Sequence, residues 1–251
     1  MSEQQGAGAI ALIGSGEYTA AMAETDRSLL AGLAVAAPRV VVIPTASALE
    51  PGMPEQWNAR GVRHFTALGV AVTPLPLLTR DDANTPEIVA VLQHADFFYF
   101  SGGNPEYLIE TMRDTLAWEA ILLRHRVGAI LAGCSAGAMM LGGATLRVRE
   151  VAAGGVPRWF VALGVVPSVT VMPHFDRLSS FVGAEVFQRM ITTAPAGVAL
   201  VGVDEDTALI RTITNDGAAH WHVSGSQTVV VYSPDGEQTV YQHGETVMLP
   251  R

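Results

Sequence analysis

The chain has 251 residues, of which 49% are hydrophobic; this is enough for a buried core and too apolar for a chain that stays disordered. Acidic residues number 24 against 15 basic ones, a net charge of -9 with no basic run, which argues against a nucleic-acid partner. A single cysteine excludes an intramolecular disulfide and a thiolate-rich zinc site and suits a reducing compartment.

The N-terminal segment lacks the basic start of a signal peptide. Its apolar part, "AIALIG" (9–14), is short and ends at glycines, so it reads as a first strand. Further strands are expected at "RVVVIP" (39–44), "VAVTPL" (70–75), "DFFYFSG" (96–102), "GAILAG" (128–133), "VTVMP" (169–173) and "GVALVGVD" (197–204). Several are apolar on both faces, as in a sheet covered on both sides. Between them the stretches 54–69, 86–95, 105–125 and 181–194 carry helical spacing, and three of these begin with the Pro-Glu pair favoured in a first helical turn. The alternation predicts an α/β fold of three layers, with a mostly parallel sheet and helices on both of its faces.

After residue 206 the texture changes to alternating strands with a Pro-Asp-Gly turn at 234–236. We read about 207–251 as an antiparallel β appendage within one domain spanning 1–251. Exposed edges of these strands offer a surface for a homodimer. No segment is long and apolar enough to span a bilayer, so a membrane is not an expected partner and the expected location is the cytoplasm.

The stretch "AGCSAGAMML" (132–141) sets a thiol beside a hydroxyl at a strand-to-helix turn. In a nucleophile elbow the positions two before and two after the nucleophile must be very small. Framing on Ser135 puts Gly133 and Gly137 there; framing on Cys134 puts Ala132 and Ala136 there, which sterics tolerate less well. Ser135 is therefore the better nucleophile and Cys134 a packing residue. The alternative is a glycine-rich turn that only packs a helix on a sheet.

A serine hydroxyl needs a base, and the base needs an acid to orient it. His64, His94 and His125 lie on or beside helices, where a histidine is ordinary. His220 and His222 share one face of a strand, and without a third ligand such a pair more often lies on a surface than binds a metal. His174 stands just beyond the C-terminal end of a strand, the edge at which Ser135 also sits. Asp204, Glu205 and Asp206 leave another strand on that side. Two chain orders satisfy the chemistry: Ser135, an acid, then His220 or His222; or Ser135, His174, then Glu205.

The oxyanion of an acyl-transfer intermediate needs preorganised N–H donors, and a glycine turn lets backbone amides approach without a Cβ in the way. We assign Gly103, in "SGGN" (101–104), and Ala136, which follows the nucleophile, as these donors. Without Ser135 nearby, the double glycine would read as an ordinary loop capped by Asn104.

These residues resemble the peptidase E and cyanophycinase family, serine peptidases with a fold similar to class I glutamine amidotransferases. The resemblance runs through "LIGSGE" (12–17), "VVIPTAS" (41–47), "FSGGN" (100–104), "GCSAGAMML" (133–141), His174 in "MPHF" and "GVDEDTAL" (202–209). It implies Ser135 as nucleophile, His174 as base and Glu205 as the orienting acid, with no cofactor and no metal. The substrate it implies is a small peptide cleaved by an exopeptidase or dipeptidase. Met172 and Pro173 stand before His174 where cyanophycinases carry an Asp-Gln pair, which points away from cyanophycin. Asn104, Arg158 and Arg177 are the substrate-binding candidates, the arginines as readers of an acidic N-terminal residue. Two other readings use the same residues: hydrolysis of a non-peptide amide or ester, and a fold relative that binds a metabolite or partner without turnover.

Overall fold

The computed structural model describes residues 6–152, 155–214, 217–233 and 237–249. Strand and helix alternate through β1 (Ile10–Ile13), α1 (Ala23–Ala31), β2 (Arg39–Ile43), α2 (Met53–Ala67), β3 (Ala71–Pro74), α3 (Pro86–Leu92), β4 (Phe97–Phe100), α4 (Pro105–Met112), α5 (Leu116–Arg126), β5 (Ile130–Cys134) and α6 (Ala136–Leu141). The chain continues with β6 (Ala144–Leu146), α7 (Val148–Ala152), β7 (Trp159–Val161), β8 (Val169–Met172), α8 (Phe175–Val182), α9 (Ala184–Thr192) and β9 (Ala199–Val203). It closes with β10 (Thr207–Ile213), β11 (Ala219–Gly225), β12 (Val229–Tyr232) and β13 (Gln238–Tyr241).

Helical spacing over 105–125 resolves into two helices. Asp114 takes a positive φ of 53°, and the Thr115 hydroxyl oxygen then accepts the Trp118 N–H to start α5. Gly183, at φ 82°, likewise breaks 181–194 between α8 and α9. Helix α1 escapes apolar periodicity because half of what it buries is polar: Thr25 and Asp26 lie inside beside Leu29 and Leu30. Each has a partner, Ser224 for Thr25 and His64 for Asp26.

The main sheet has seven strands in the order β11-β10-β1-β5-β4-β2-β3, parallel from β1 to β3, with β10 and β11 antiparallel at one edge. Side chains alternate between two apolar layers. Leu12, Val41, Ile43, Phe98, Phe100 and Leu131 face one, which α3 to α6 cover; Ile13, Val42, Phe97, Tyr99, Ala132 and Cys134 face the other, under α1 and α2. The predicted three-layer arrangement is thus present. A second sheet, ordered β13-β12-β9-β8, holds the strands read from "VTVMP" and "GVALVGVD". Periodicity marks them as buried strands but does not say which sheet receives them. The antiparallel C-terminal strands are divided in the same way, two on each sheet. The turn at 234–236 lies outside the described residues; β12 and β13, which flank it, pair antiparallel. No helix among the described residues is long and apolar enough to cross a membrane.

Register places the site. Ile13 is opposite Cys134 and Phe100 is opposite Gly133, so β1, β5 and β4 end level and side by side. In the second sheet β8 and β9 run parallel with Met172 opposite Gly202, which brings the residues following them to one rim. Gly202 packs directly under Phe175, the residue after His174: a Cβ there would lie 2.3 Å from the Phe175 ring. Gly202→Ala is expected to destabilise the protein by about 1–3 kcal/mol in urea unfolding, because rigid backbone meets a packed ring.

Candidate active site

Ser135 occupies the turn between β5 and α6 with φ 52° and ψ -111°, a backbone conformation that non-glycine residues rarely adopt. Close packing holds it there. A Cβ on Gly133 would fall 2.3 Å from the carbonyl of Gly137, and one on Gly137 would fall 2.5 Å from the carbonyl oxygen of Phe100. Both positions must be glycine for the turn to close, the steric pattern of an elbow centred on Ser135. The Ser135 N–H donates to the Ile13 carbonyl, which ties the turn to β1.

His174 follows β8 and also has a positive φ, 51°, so its ring turns back over the sheet edge. Its Nε2 lies 3.0 Å from Ser135 Oγ, and its Nδ1 lies 2.9 Å from Glu205 Oε1. An ionised carboxylate only accepts hydrogen bonds, so Nδ1 carries the proton and Nε2 presents a lone pair to the hydroxyl. Glu205 also meets Arg177 Nη2 at 3.0 Å, and its backbone N–H donates to Asp176 Oδ1.

The three neighbouring acids have separate surroundings. Asp204 is buried and accepts both the N–H and the hydroxyl of Thr228. Asp206 accepts from Thr19 at the rim. Only Glu205 meets the imidazole. His220 and His222 lie on β11 with ring centroids 5.9 Å apart, away from Ser135, and among the described residues no group of three potential ligands forms a metal site. His64 is paired with Asp26, and His125 binds the Ala129 carbonyl oxygen.

The turn "SGGN" ends β4 beside the elbow. Its Ser101 N–H donates to Ile43 O and its Asn104 N–H to Ala46 O, at 3.2 and 2.7 Å. A Cβ at Gly102 would lie 3.3 Å from Ser135 Cβ, so this turn packs against Ser135. Among the described residues the N–H groups of Gly103 and Ala136 have no hydrogen-bond partner. Asn104, one of the substrate-binding candidates, spends its side-chain oxygen on the N–H groups of Glu106 and Tyr107, capping α4. The arginines are also engaged: Arg177 with Glu205 and Asp176, Arg158 with Glu150.

Cys134 has no exposed surface. Its thiol donates to Glu17 Oε2 at 3.0 Å, and burial, followed by the nearby Glu17 carboxylate, pushes it well above the usual thiol range. A neutral, enclosed thiol is not a nucleophile at neutral pH.

The sequence profile of peptidase family S51 matches residues 10–219. The chain belongs to that family of serine-type peptidases. A crystal structure of a peptidase from an acI-B1 actinobacterium superposes with a TM-score of 0.86 at 32% identity, covering 98% of both chains. A putative peptidase E protein from Listeria monocytogenes shares the fold, with a TM-score of 0.55 at 19% identity over 81% of this chain and 94% of that one. An uncharacterized peptidase from Listeria innocua is 33% identical over 101 residues, 40% of this chain and 46% of that protein, so the match spans under half of that relative's length.

Two site residues were not singled out from the sequence of this S51 member. Glu17 reaches the elbow from the turn after β1, and Asp176 holds the backbone of Glu205. A carboxylate closing a glycine-rich turn at the same sheet edge was the available sign of Glu17. Nothing comparable marks Asp176, whose partner lies 29 positions away. The chain has one thiol, so native protein is expected to release no thionitrobenzoate from Ellman's reagent over minutes, and one equivalent once denatured.

Proposed function

We propose that this S51 member hydrolyses small peptides, as an exopeptidase or dipeptidase, through an acyl-enzyme on Ser135. The observation that carries the reading is the continuous relay of Ser135 Oγ, His174 and Glu205, joined by contacts of 3.0 and 2.9 Å. His174 Nε2 takes the hydroxyl proton as Oγ adds to the scissile carbonyl carbon. Glu205 stabilises the resulting imidazolium and holds the tautomer that can accept the proton. The carbonyl oxygen, now negative, is held by the N–H groups of Gly103 and Ala136, whose lack of other partners supports the assignment. The imidazolium then protonates the leaving amine and the acyl-enzyme forms. Water, deprotonated by His174, attacks the ester; collapse of the second intermediate releases the acid and restores the Ser135 hydroxyl. The chemistry runs on these side chains and amides with no cofactor or metal, and we place it in the cytoplasm.

Family membership and the name of the Listeria monocytogenes neighbour, a putative peptidase E, support a peptide substrate. Preference for an acidic N-terminal residue is not part of the proposal, because Arg158 and Arg177 already face carboxylates.

A fluorophosphonate is expected to label wild-type protein and leave Ser135→Ala unlabelled; labelling of the variant at the wild-type rate would overturn the reading. Dipeptides screened beside simple esters and amides identify the substrate class. On whichever substrate turns over, Glu205→Gln should lower kcat by roughly a hundredfold to ten-thousandfold, because the amide allows the wrong histidine tautomer.

A further inference from the structure

A further carboxylate meets the catalytic edge, and the mechanism above does not use it. Glu17 stands at the end of the glycine-rich turn that follows β1, the strand beside β5, and is only 9% exposed. Its Oε1 accepts the Gly102 N–H at 2.9 Å and its Oε2 accepts the Cys134 thiol at 3.0 Å. One carboxylate therefore joins the residue before Gly103 to the residue before Ser135. Among the described residues it forms no ion pair. A buried acid without a cation is retained only where its hydrogen bonds repay desolvation, so the groups it binds indicate its use.

Those groups are the two turns that frame the reacting carbon. The Ser101–Asn104 turn is held on its outer side by backbone bonds to Ile43 and Ala46. On its inner side, facing Ser135, Glu17 is the anchor. By taking the Gly102 N–H it sets the orientation of the residue from which the Gly103 amide extends, and it leaves that next N–H without a protein partner. Contact is tight: a Cβ on Gly102 would meet Glu17 Oε1 at 2.9 Å and Ser135 Oγ at 3.7 Å. The base of the Glu17 loop is itself fixed, since the Asp206 N–H donates to the Ser15 carbonyl.

We propose that Glu17 is a positioning residue for the oxyanion hole: its carboxylate locks the Gly102 amide and so aims the Gly103 N–H at the oxygen that becomes negative when Ser135 adds. The inference rests on the serine-peptidase reading above. An interaction that matters only once that charge develops changes the maximal rate and leaves ground-state binding alone.

Two variants separate the hydrogen bond from the charge. E17Q keeps a carbonyl oxygen within reach of Gly102; E17D keeps the charge but is one methylene shorter. The probe is phosphonylation of Ser135 by a fluorophosphonate, followed to saturation, with thermal melts to verify folding. E17D is expected to lower the maximal labelling rate by about 30-fold or more, with the half-saturating concentration within about threefold of wild type, while E17Q stays within about fivefold on both. The reverse order, with E17D fast and E17Q slow, overturns the inference, as do equal rates in all three proteins. If E17D does not fold, E17M takes its place, having the length of Glu and no acceptor, with the same slow rate expected. Wild-type protein that takes no label at Ser135 defeats the serine-peptidase reading itself; labelling of wild type and E17D at one rate defeats only the positioning role.

Discussion

The contact between Ser135 Oγ and His174 Nε2 crosses from one sheet to another, and the site depends on that crossing. Ser135 ends β5 in the middle of the seven-stranded sheet, whereas His174 ends β8 at the edge of the four-stranded one. No backbone ladder joins the two strands, so the 3.0 Å separation is maintained by packing and by bonds from the segment after α6 to β8, the Gly143 N–H to the Val169 carbonyl and the Thr170 hydroxyl to the Ala144 carbonyl. Leu131 and Met140 on one side and Val169, Val171 and Val201 on the other belong to a single buried cluster. Close-packed interiors deform little, so a core of this kind can hold two rims in fixed relation. Both residues also sit at positive φ, a strain of about 1–3 kcal/mol each that persists only where the surroundings over-determine it.

Electrostatics at the rim follows from where each acid lands. Asp204, Glu205 and Asp206 are consecutive, yet they enter a buried cap on Thr228, the imidazole partnership and a contact with Thr19. Leaving a strand, successive side chains point to opposite sides, and the positive φ of Asp206 then redirects the chain into β10. Arg177 and Asp176, one turn beyond His174, complete the environment of Glu205. The arginine neutralises the carboxylate oxygen that the imidazole does not use, and the aspartate fixes the backbone beneath it.

The thiol and the hydroxyl, adjacent in sequence, are separated by the same alternation. Ile130, Ala132 and Cys134 point into the layer under α1 and α2, so the thiol is committed to packing before the elbow begins. Ser135 is the first residue past the strand and is free of that constraint. Glu17 binds the buried thiol on one side and the glycine turn that packs against Ser135 on the other.

Much of this was legible in the residues. Strands β1 to β5, β8 and β9 follow from apolar runs bounded by turn formers, whereas β6 and β7, three residues each, carry too short a pattern to be read. The Gly133–Gly137 frame around Ser135 follows from steric exclusion, and the placing of His174 and Glu205 just beyond strand ends follows from the geometry of open sheets. These are local properties, carried by neighbours in sequence. The partition of the strands between two sheets, the separate surroundings of three consecutive acids, the engagement of Arg177 and Asn104 by the protein itself, and the reach of Glu17 into the elbow were decided only by the tertiary structure. Each depends on groups that the sequence separates by tens of residues, or on which face a turn presents. Only packing of the whole core sets those distances, because hydrophobic periodicity states that a face is buried and carries no information about what it is buried against.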